Sequence, residues 1–174
     1  MYPADGEYFQ YFDINSASSA LKALNDLDAY IEAEGPYDAV LAFSQGAALA
    51  ATLMIRKLRQ NPVEQHLSPL FKCAVFISGG IPADYGGLLD GKIRLLSHAE
   101  DGELIPVPTA NIWGQDEGEF SGNSKQLAGL CQSQGRVIFI HKGGHEVPGS
   151  RSRDAVTASV NAVRRTIQTA LHAQ

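Results

Sequence analysis

Apolar residues along the chain follow two different spacings. In four segments they recur every three or four positions, the pattern of an amphipathic helix; these are residues 16–34, 45–59, 124–133 and 154–173. In four shorter segments they run almost without interruption, as in a strand that is buried on both faces; these are residues 38–43, 72–78, 109–113 and 136–141. The last predicted helix carries apolar side chains along one face: Val156, Val160, Val163, Ile167 and Leu171.

These helices and strands alternate along the chain, with no internal repeat and no obvious linker between them. Alternation of this kind indicates parallel strands joined by right-handed crossovers through helices. The sequence therefore predicts a single α/β domain over residues 1–174, built as a three-layer α/β/α sandwich around a mostly parallel sheet.

Polar and glycine-rich segments follow the predicted strand ends. They are Ser44, Gly79 with Gly80, residues 114–116 and residues 142–145. Because ligands of open α/β sheets bind outside the carboxyl ends of the strands, we expect these segments to meet in one crevice.

Ser44 stands where a predicted strand passes directly into a predicted helix. Its neighbours two positions away are Ala42 and Gly46, and a nucleophilic serine on a sharp strand-to-helix turn requires small residues there. The motif is A-x-S-x-G, with alanine where glycine is usual. A serine before a helix is also a common N-cap, so the motif alone does not establish a nucleophile.

Asp116 and His145 follow Ser44 in the order serine, acid, histidine, and each lies just past a predicted strand. A serine hydroxyl needs a base to remove its proton, and a histidine base needs a carboxylate to orient it. We therefore predict a catalytic triad of Ser44, Asp116 and His145. Glu117 and Glu119 are rival acids in the same loop.

Two other histidines compete with His145 as the base. His98 lies in a polar segment that we expect to be an exposed loop, and His141 ends the fourth predicted strand. His141 and His145 are separated by a glycine-containing segment that is not helical, and a zinc pair there would lack an obvious third ligand. The sequence predicts no metal site and no cofactor.

Composition excludes several classes of function. The net charge is −5, whereas a nucleic-acid or anionic-membrane binder needs a basic patch. No apolar run approaches the roughly 20 residues that cross a bilayer, and the first residues lack the features of a signal peptide. The only two cysteines are Cys73 and Cys131, too few for a disulfide framework. We expect a cytoplasmic protein that acts on a small molecule.

Four segments of the chain resemble the fungal family of serine hydrolases. They are residues 38–47 around the serine, 76–80, 113–116 (Trp-Gly-Gln-Asp) and 143–148 (Gly-Gly-His-Glu-Val-Pro). Members are small α/β-hydrolases without a large lid, among them esterases and thioesterases of polyketide pathways. The resemblance begins near Asp13 and implies the same three catalytic residues. It also places the Gln45 backbone N–H at the oxyanion, at a helix N-terminus that favours negative charge.

The chain departs from the family pattern before its first helix. Family members carry there a strand and a loop that supplies a second oxyanion N–H, and we expect this fold to be truncated at that end. Losing one such donor typically costs about 10²–10³ in rate. The strand 38–43 would then be an exposed edge, for which we predict a homo-oligomer. The aromatic residues Tyr8, Phe9, Tyr11 and Phe12 either take part in that assembly or pack over the same edge.

The sequence thus favours a serine hydrolase that cleaves an ester or thioester. Apolar or small residues at the strand ends suggest a medium-sized hydrophobic acyl or aromatic substrate, bound by Phe43, Gly80, Ile81, Trp113 and Val147. Two alternatives stay open. The same residues serve as an acid/base pair for a cyclisation, dehydration or isomerisation, or the chain is an inactive partner subunit.

Overall fold

A computed structural model describes residues 9–149 and 151–172 of the chain. Within them four parallel strands form one sheet in the order β1-β2-β3-β4. The strands are β1 (Ala39–Phe43), β2 (Cys73–Ile77), β3 (Thr109–Gly114) and β4 (Arg136–His141). All four lie where the sequence predicts them. The expected cover on both faces holds for β2 and β3, which are buried along nearly their whole length, whereas the outer strands β1 and β4 are partly exposed.

Seven α-helices connect and flank the strands in the described part of the chain. They are α1 (Ala17–Glu34), α2 (Gln45–Gln60), α3 (Pro62–Leu67), α4 (Tyr85–Leu89), α5 (His98–Asp101), α6 (Asn123–Leu130) and α7 (Arg153–His172). The four long segments were predicted, and the Ser16 hydroxyl caps α1 by accepting a hydrogen bond from the Ser19 N–H. The short helices α3, α4 and α5 were not predicted, since four to six residues show little periodicity. His98 begins α5 and is exposed.

The sheet has a helical layer on each face. Buried side chains of α1, α2 and α6 join those of β1 and β2 in the larger core, which includes the fully buried Leu24, Leu53, Phe76 and Leu127. A smaller core on the other face joins Val75, Ile77, Ala110 and Ile112 to Ala162 of α7. The predicted three-layer α/β/α sandwich is confirmed.

Helix α7 packs on the sheet mainly through small residues, together with Val163. Ala162, Thr166 and Ala170 are buried, whereas Val160, Ile167 and Leu171 are 41%, 43% and 63% exposed. Of the predicted apolar face, Val163 packs against the core on this side of the sheet. Small side chains let the helix lie close to the strands, and Val160, Ile167 and Leu171 are left on the outside.

Strand β1 is an edge of the described sheet, since among the described residues it pairs with β2 alone. Leu41, opposite Val75 in the register, is 66% exposed. Val75 belongs to the core beneath α7, so Leu41 lies on the same face as α7 but beyond its cover. Residues 9–149 and 151–172 thus leave an apolar edge strand open, as the sequence predicts.

None of the described helices has an apolar stretch long enough to cross a bilayer.

Candidate active site

Ser44 occupies a strained turn between β1 and α2. Its φ of 51° and ψ of −119° lie in a region that residues other than glycine rarely adopt. The turn is fixed on both sides: the Ser44 N–H donates to the Ile77 carbonyl at 3.0 Å, and the Ser44 carbonyl accepts from the Gly80 N–H at 3.0 Å. A Cβ at Gly80 would lie 3.3 Å from that carbonyl, so a glycine suits this close approach. The Ser44 side chain makes no capping hydrogen bond to α2.

The Ser44 hydroxyl instead faces a histidine from the loop after β4, the strand at the opposite edge of the sheet. Ser44 Oγ lies 2.8 Å from His145 Nε2, and His145 Nδ1 lies 3.3 Å from Glu117 Oε1. Glu117 is buried and accepts a second hydrogen bond from the Ser124 hydroxyl at 3.0 Å. Ser124 lies in the first turn of α6, where the helix dipole favours a nearby negative charge. A serine, a histidine and a held carboxylate are thus in line.

The carboxylate beside His145 is not that of Asp116. The Asp116 side chain is exposed, and its backbone N–H donates to the Gly143 carbonyl at 3.3 Å. The next side chain along the chain, that of Glu117, turns inward instead. The sequence predicts Asp116 as the acid beside His145, whereas in the structure one of the two rival acids, Glu117, makes that contact instead. The other rival, Glu119, is exposed.

Glycines let the two strand-end loops that carry the acid and the histidine approach each other. A Cβ at Gly114 would lie only 2.1 Å from the Gly144 carbonyl oxygen and 2.4 Å from that of Gly143. A side chain at this position would therefore push the loop after β4 away from β3. The Gln115 N–H donates to the His141 carbonyl at 2.7 Å and joins the same two loops.

His141 is buried and stands outside the Ser44 contact. Its Nδ1 accepts a hydrogen bond from the Gly143 N–H at 3.1 Å, so its ring shapes the loop that presents His145. Of the three candidate histidines, His145 alone is in contact with Ser44 among the described residues. The described part of the chain also contains no cluster of three or more histidine, cysteine or acidic residues that would hold a metal ion.

The His145 ring is packed between two phenylalanines. The ring centroid of Phe43 is 5.2 Å away and that of Phe120 is 4.4 Å away. The His145 side chain is 14% exposed. Aromatic packing of this kind restricts the orientation of the imidazole and limits its contact with water.

Beside Ser44 lies a cavity of about 540 Å³. The described residues that line it include no charged side chain. Three residues predicted to bind substrate line this cavity: Phe43, Gly80 and Ile81. The other two are outside its lining: Trp113 is half-buried in β3, and Val147 lines a separate cavity of about 400 Å³.

Residues 9–12, which we call the aromatic wall, form one side of this cavity. Sequence reasoning placed Phe9, Tyr11 and Phe12 at the edge of β1; the structure places them beside Ser44 instead, with the Tyr11 ring near Gly46. Tyr8 lies outside the described residues. The sequence shows a concentration of aromatic residues before α1. Where these residues lie in the fold depends on a contact with α2 that their spacing does not reveal.

Another part of the cavity lining comes from the segment between β2 and β3, through Leu88, Ile93 and Leu95. Arg94 fixes this segment by donating to both carboxylate oxygens of Asp101, at 3.0 and 2.9 Å. The Arg94 guanidinium holds the pKa of Asp101 below its usual value. These lining residues were not predicted from the sequence, because they lie in a short helix and the loop after it, which show no clear periodicity.

Comparison with known proteins identifies the family. The family described as "Serine hydrolase (FSH1)" matches residues 4–156. Esterase FPY3 of Fusarium mangiferae is 41% identical over 143 residues, which are 82% of this chain and 62% of that protein. Hydrolase phiM of a fungal species is 30% identical over 129 residues, which are 74% of this chain and 59% of that protein. The chain thus spans about three fifths of the length of these relatives.

Among solved structures, the Bacillus cereus carboxylesterase is similar with a TM-score of 0.49 and 15% identity, over 85% of this chain and 62% of that one. Since the family match extends over most of the sequence, from the aromatic wall past His145, the chain belongs to the FSH1 serine hydrolase family.

Proposed function

We propose that this chain hydrolyses esters or thioesters of an apolar acyl group, with Ser44 as nucleophile, His145 as base and Glu117 as the orienting acid. The observation that carries the proposal is the 2.8 Å contact between Ser44 Oγ and His145 Nε2. Family membership supports hydrolysis over the acid/base and partner-subunit alternatives.

In the first half of the reaction, Ser44 Oγ attacks the acyl carbon and His145 Nε2 takes the hydroxyl proton. This assignment requires the tautomer with a proton on Nδ1, which donates to Glu117 Oε1. Glu117 stabilises the imidazolium that forms and keeps its ring aligned. Its burial and its bond from Ser124 hold the carboxylate in one orientation.

The negative charge on the acyl oxygen needs a donor at the start of α2. We assign this role to the Gln45 backbone N–H, which follows Ser44 directly and has no acceptor among the described residues. A donor fixed before the reaction starts stabilises the oxyanion without reorganisation.

To complete the first half, His145 gives its proton to the departing alcohol or thiol, and the acyl group stays on Ser44. In the second half, water attacks the acyl carbon and gives a proton to His145, which passes it to Ser44 Oγ as the acyl group leaves. The free acid is released and the site returns to its starting state.

The cavity supports an apolar acyl group as substrate. A charged acyl chain would lose its hydration in this cavity and find no oppositely charged side chain among the described lining residues. Its aromatic residues suit a flat or extended apolar group, and we include polyketide-type acyl groups in the proposal on the strength of the family resemblance.

Reaction with a fluorophosphonate tests the nucleophile. We expect one adduct per chain, located on Ser44 by mass spectrometry of peptides, because His145 activates this hydroxyl. The Ser44→Ala variant is the control and should neither be labelled nor hydrolyse p-nitrophenyl esters. An unlabelled wild-type chain, or full hydrolysis by Ser44→Ala, would contradict the proposal.

Substitution of the two adjacent acids tests the choice of Glu117. We expect Glu117→Gln to lower kcat by about 10³–10⁴, since the amide favours the wrong imidazole tautomer. Asp116→Asn is the matched control and should cost less than about tenfold, or about 1.4 kcal/mol. The reverse order of the two losses would return the acid role to Asp116.

We also propose that a second copy of the chain covers the edge of β1. The edge is short, apolar and open in the described sheet, with Leu41 66% exposed. Open edges of this kind favour pairing with another strand, and a lysine on the edge opposes it.

Light scattering at micromolar concentration measures the assembly. We expect a dimer or larger species that dissociates in the Leu41→Lys variant. Ile140→Lys is the matched control on the opposite edge strand, where Ile140 is 52% exposed, and it should leave the mass unchanged. A monomeric wild-type chain would refute the assembly, and dissociation by Ile140→Lys alone would place it at β4.

A further inference from the structure

The side chain of Gln45 joins the turn at Ser44 to the aromatic wall. Its Oε1 accepts a hydrogen bond from the Tyr11 N–H at 2.8 Å, and its Nε2 donates to the Phe12 carbonyl at 2.8 Å. The amide therefore satisfies a backbone donor and a backbone acceptor that lie more than thirty residues earlier in the chain. A carboxamide offers both groups on one planar end, whereas an ionised carboxylate only accepts.

A second contact lies beside the first. The Tyr11 ring approaches Gly46 so closely that a Cβ there would be 3.3 Å from the ring. Two successive residues after the nucleophile thus contact the wall, one through its amide and the other through its lack of a side chain. The position of the wall is coupled to the turn that carries Ser44.

Beyond Gln45, the wall is held at its C-terminal end. Phe12 packs against the core, and the Asp13 N–H donates to the Ser19 hydroxyl at 3.0 Å. Its N-terminal part is far more open, with Phe9 90% and Tyr11 69% exposed. Both aromatic side chains line the cavity beside Ser44, so a bound acyl group would cover surface that is otherwise in water.

We propose that Gln45 is a positioning residue for acyl selectivity, which holds the aromatic wall against the nucleophile turn so that long apolar acyl groups bind. The inference rests on the proposed function and goes beyond it, because it assigns the Gln45 side chain a role separate from that of its backbone N–H. An ordered wall offers its apolar surface without first losing conformational entropy. An acetyl group, which is too short to fill the cavity, gains little from the wall.

Steady-state kinetics with p-nitrophenyl acetate and p-nitrophenyl octanoate test this role. We expect Gln45→Met, which is close in size but makes neither hydrogen bond, to lower the octanoate-to-acetate ratio of kcat/KM about tenfold. The loss should appear mainly as a higher KM for octanoate, because the wall binds the acyl chain equally in the ground state and in the transition state. Gln45→Glu keeps the acceptor for Tyr11 but not the donor for Phe12, and should lose the same preference.

A double-mutant cycle with Tyr11→Ala separates positioning from general destabilisation. If Gln45 acts through the wall, Tyr11→Ala alone should lower the same ratio about tenfold, and the double variant should lose about tenfold rather than a hundredfold. Additive losses, equal losses on both esters, or an unchanged ratio in both Gln45 variants would overturn the inference.

The two proposals fail in different ways. If wild-type hydrolysis does not depend on Ser44, the proposed function is wrong. If hydrolysis depends on Ser44 and the ratio does not depend on Gln45, the function stands and the positioning role is rejected.

Discussion

The hydrogen bond between Ser44 Oγ and His145 Nε2 joins residues that are 101 positions apart, and the other features of the site depend on it. Ser44 reaches the meeting point because the strained turn after β1 raises it above the sheet. His145 reaches it because Gly114 lets the loop after β4 lie directly on the end of β3. Small residues at these few positions thus permit the contact. Because the strands are parallel, the loops that carry Ser44 and His145 leave the sheet at the same end.

The sequence predicts the frame of this site well and its details less well. Uninterrupted apolar segments locate all four strands. Ser44 and His145 were predicted just after the first and the fourth of these strands, and the structure has them there. The sequence led us to choose Asp116 as the acid, but Asp116 and Glu117 are adjacent carboxylates in one loop and spacing does not separate them. Burial and the Ser124 hydroxyl distinguish them, and neither is visible in the spacing.

Two further discrepancies have a shared physical reason. The exposed Val160, Ile167 and Leu171 of α7 and the aromatic wall both carry large apolar side chains that sequence reasoning assigned to packing surfaces. Periodicity identifies an apolar face but not what lies against it. In α7 the small residues and Val163 contact the sheet, and in the wall the Gln45 amide and Gly46 decide where the aromatic residues lie.

The most direct test of the arrangement of Ser44, His145 and Glu117 is proton NMR of the protein with ¹⁵N-labelled histidine. We predict a strongly downfield proton bound to His145 Nδ1, donated to the Glu117 carboxylate. The signal should persist in Asp116→Asn and disappear or move far upfield in Glu117→Gln. A signal that Glu117→Gln leaves in place and Asp116→Asn removes would contradict the arrangement of Ser44, His145 and Glu117 described above.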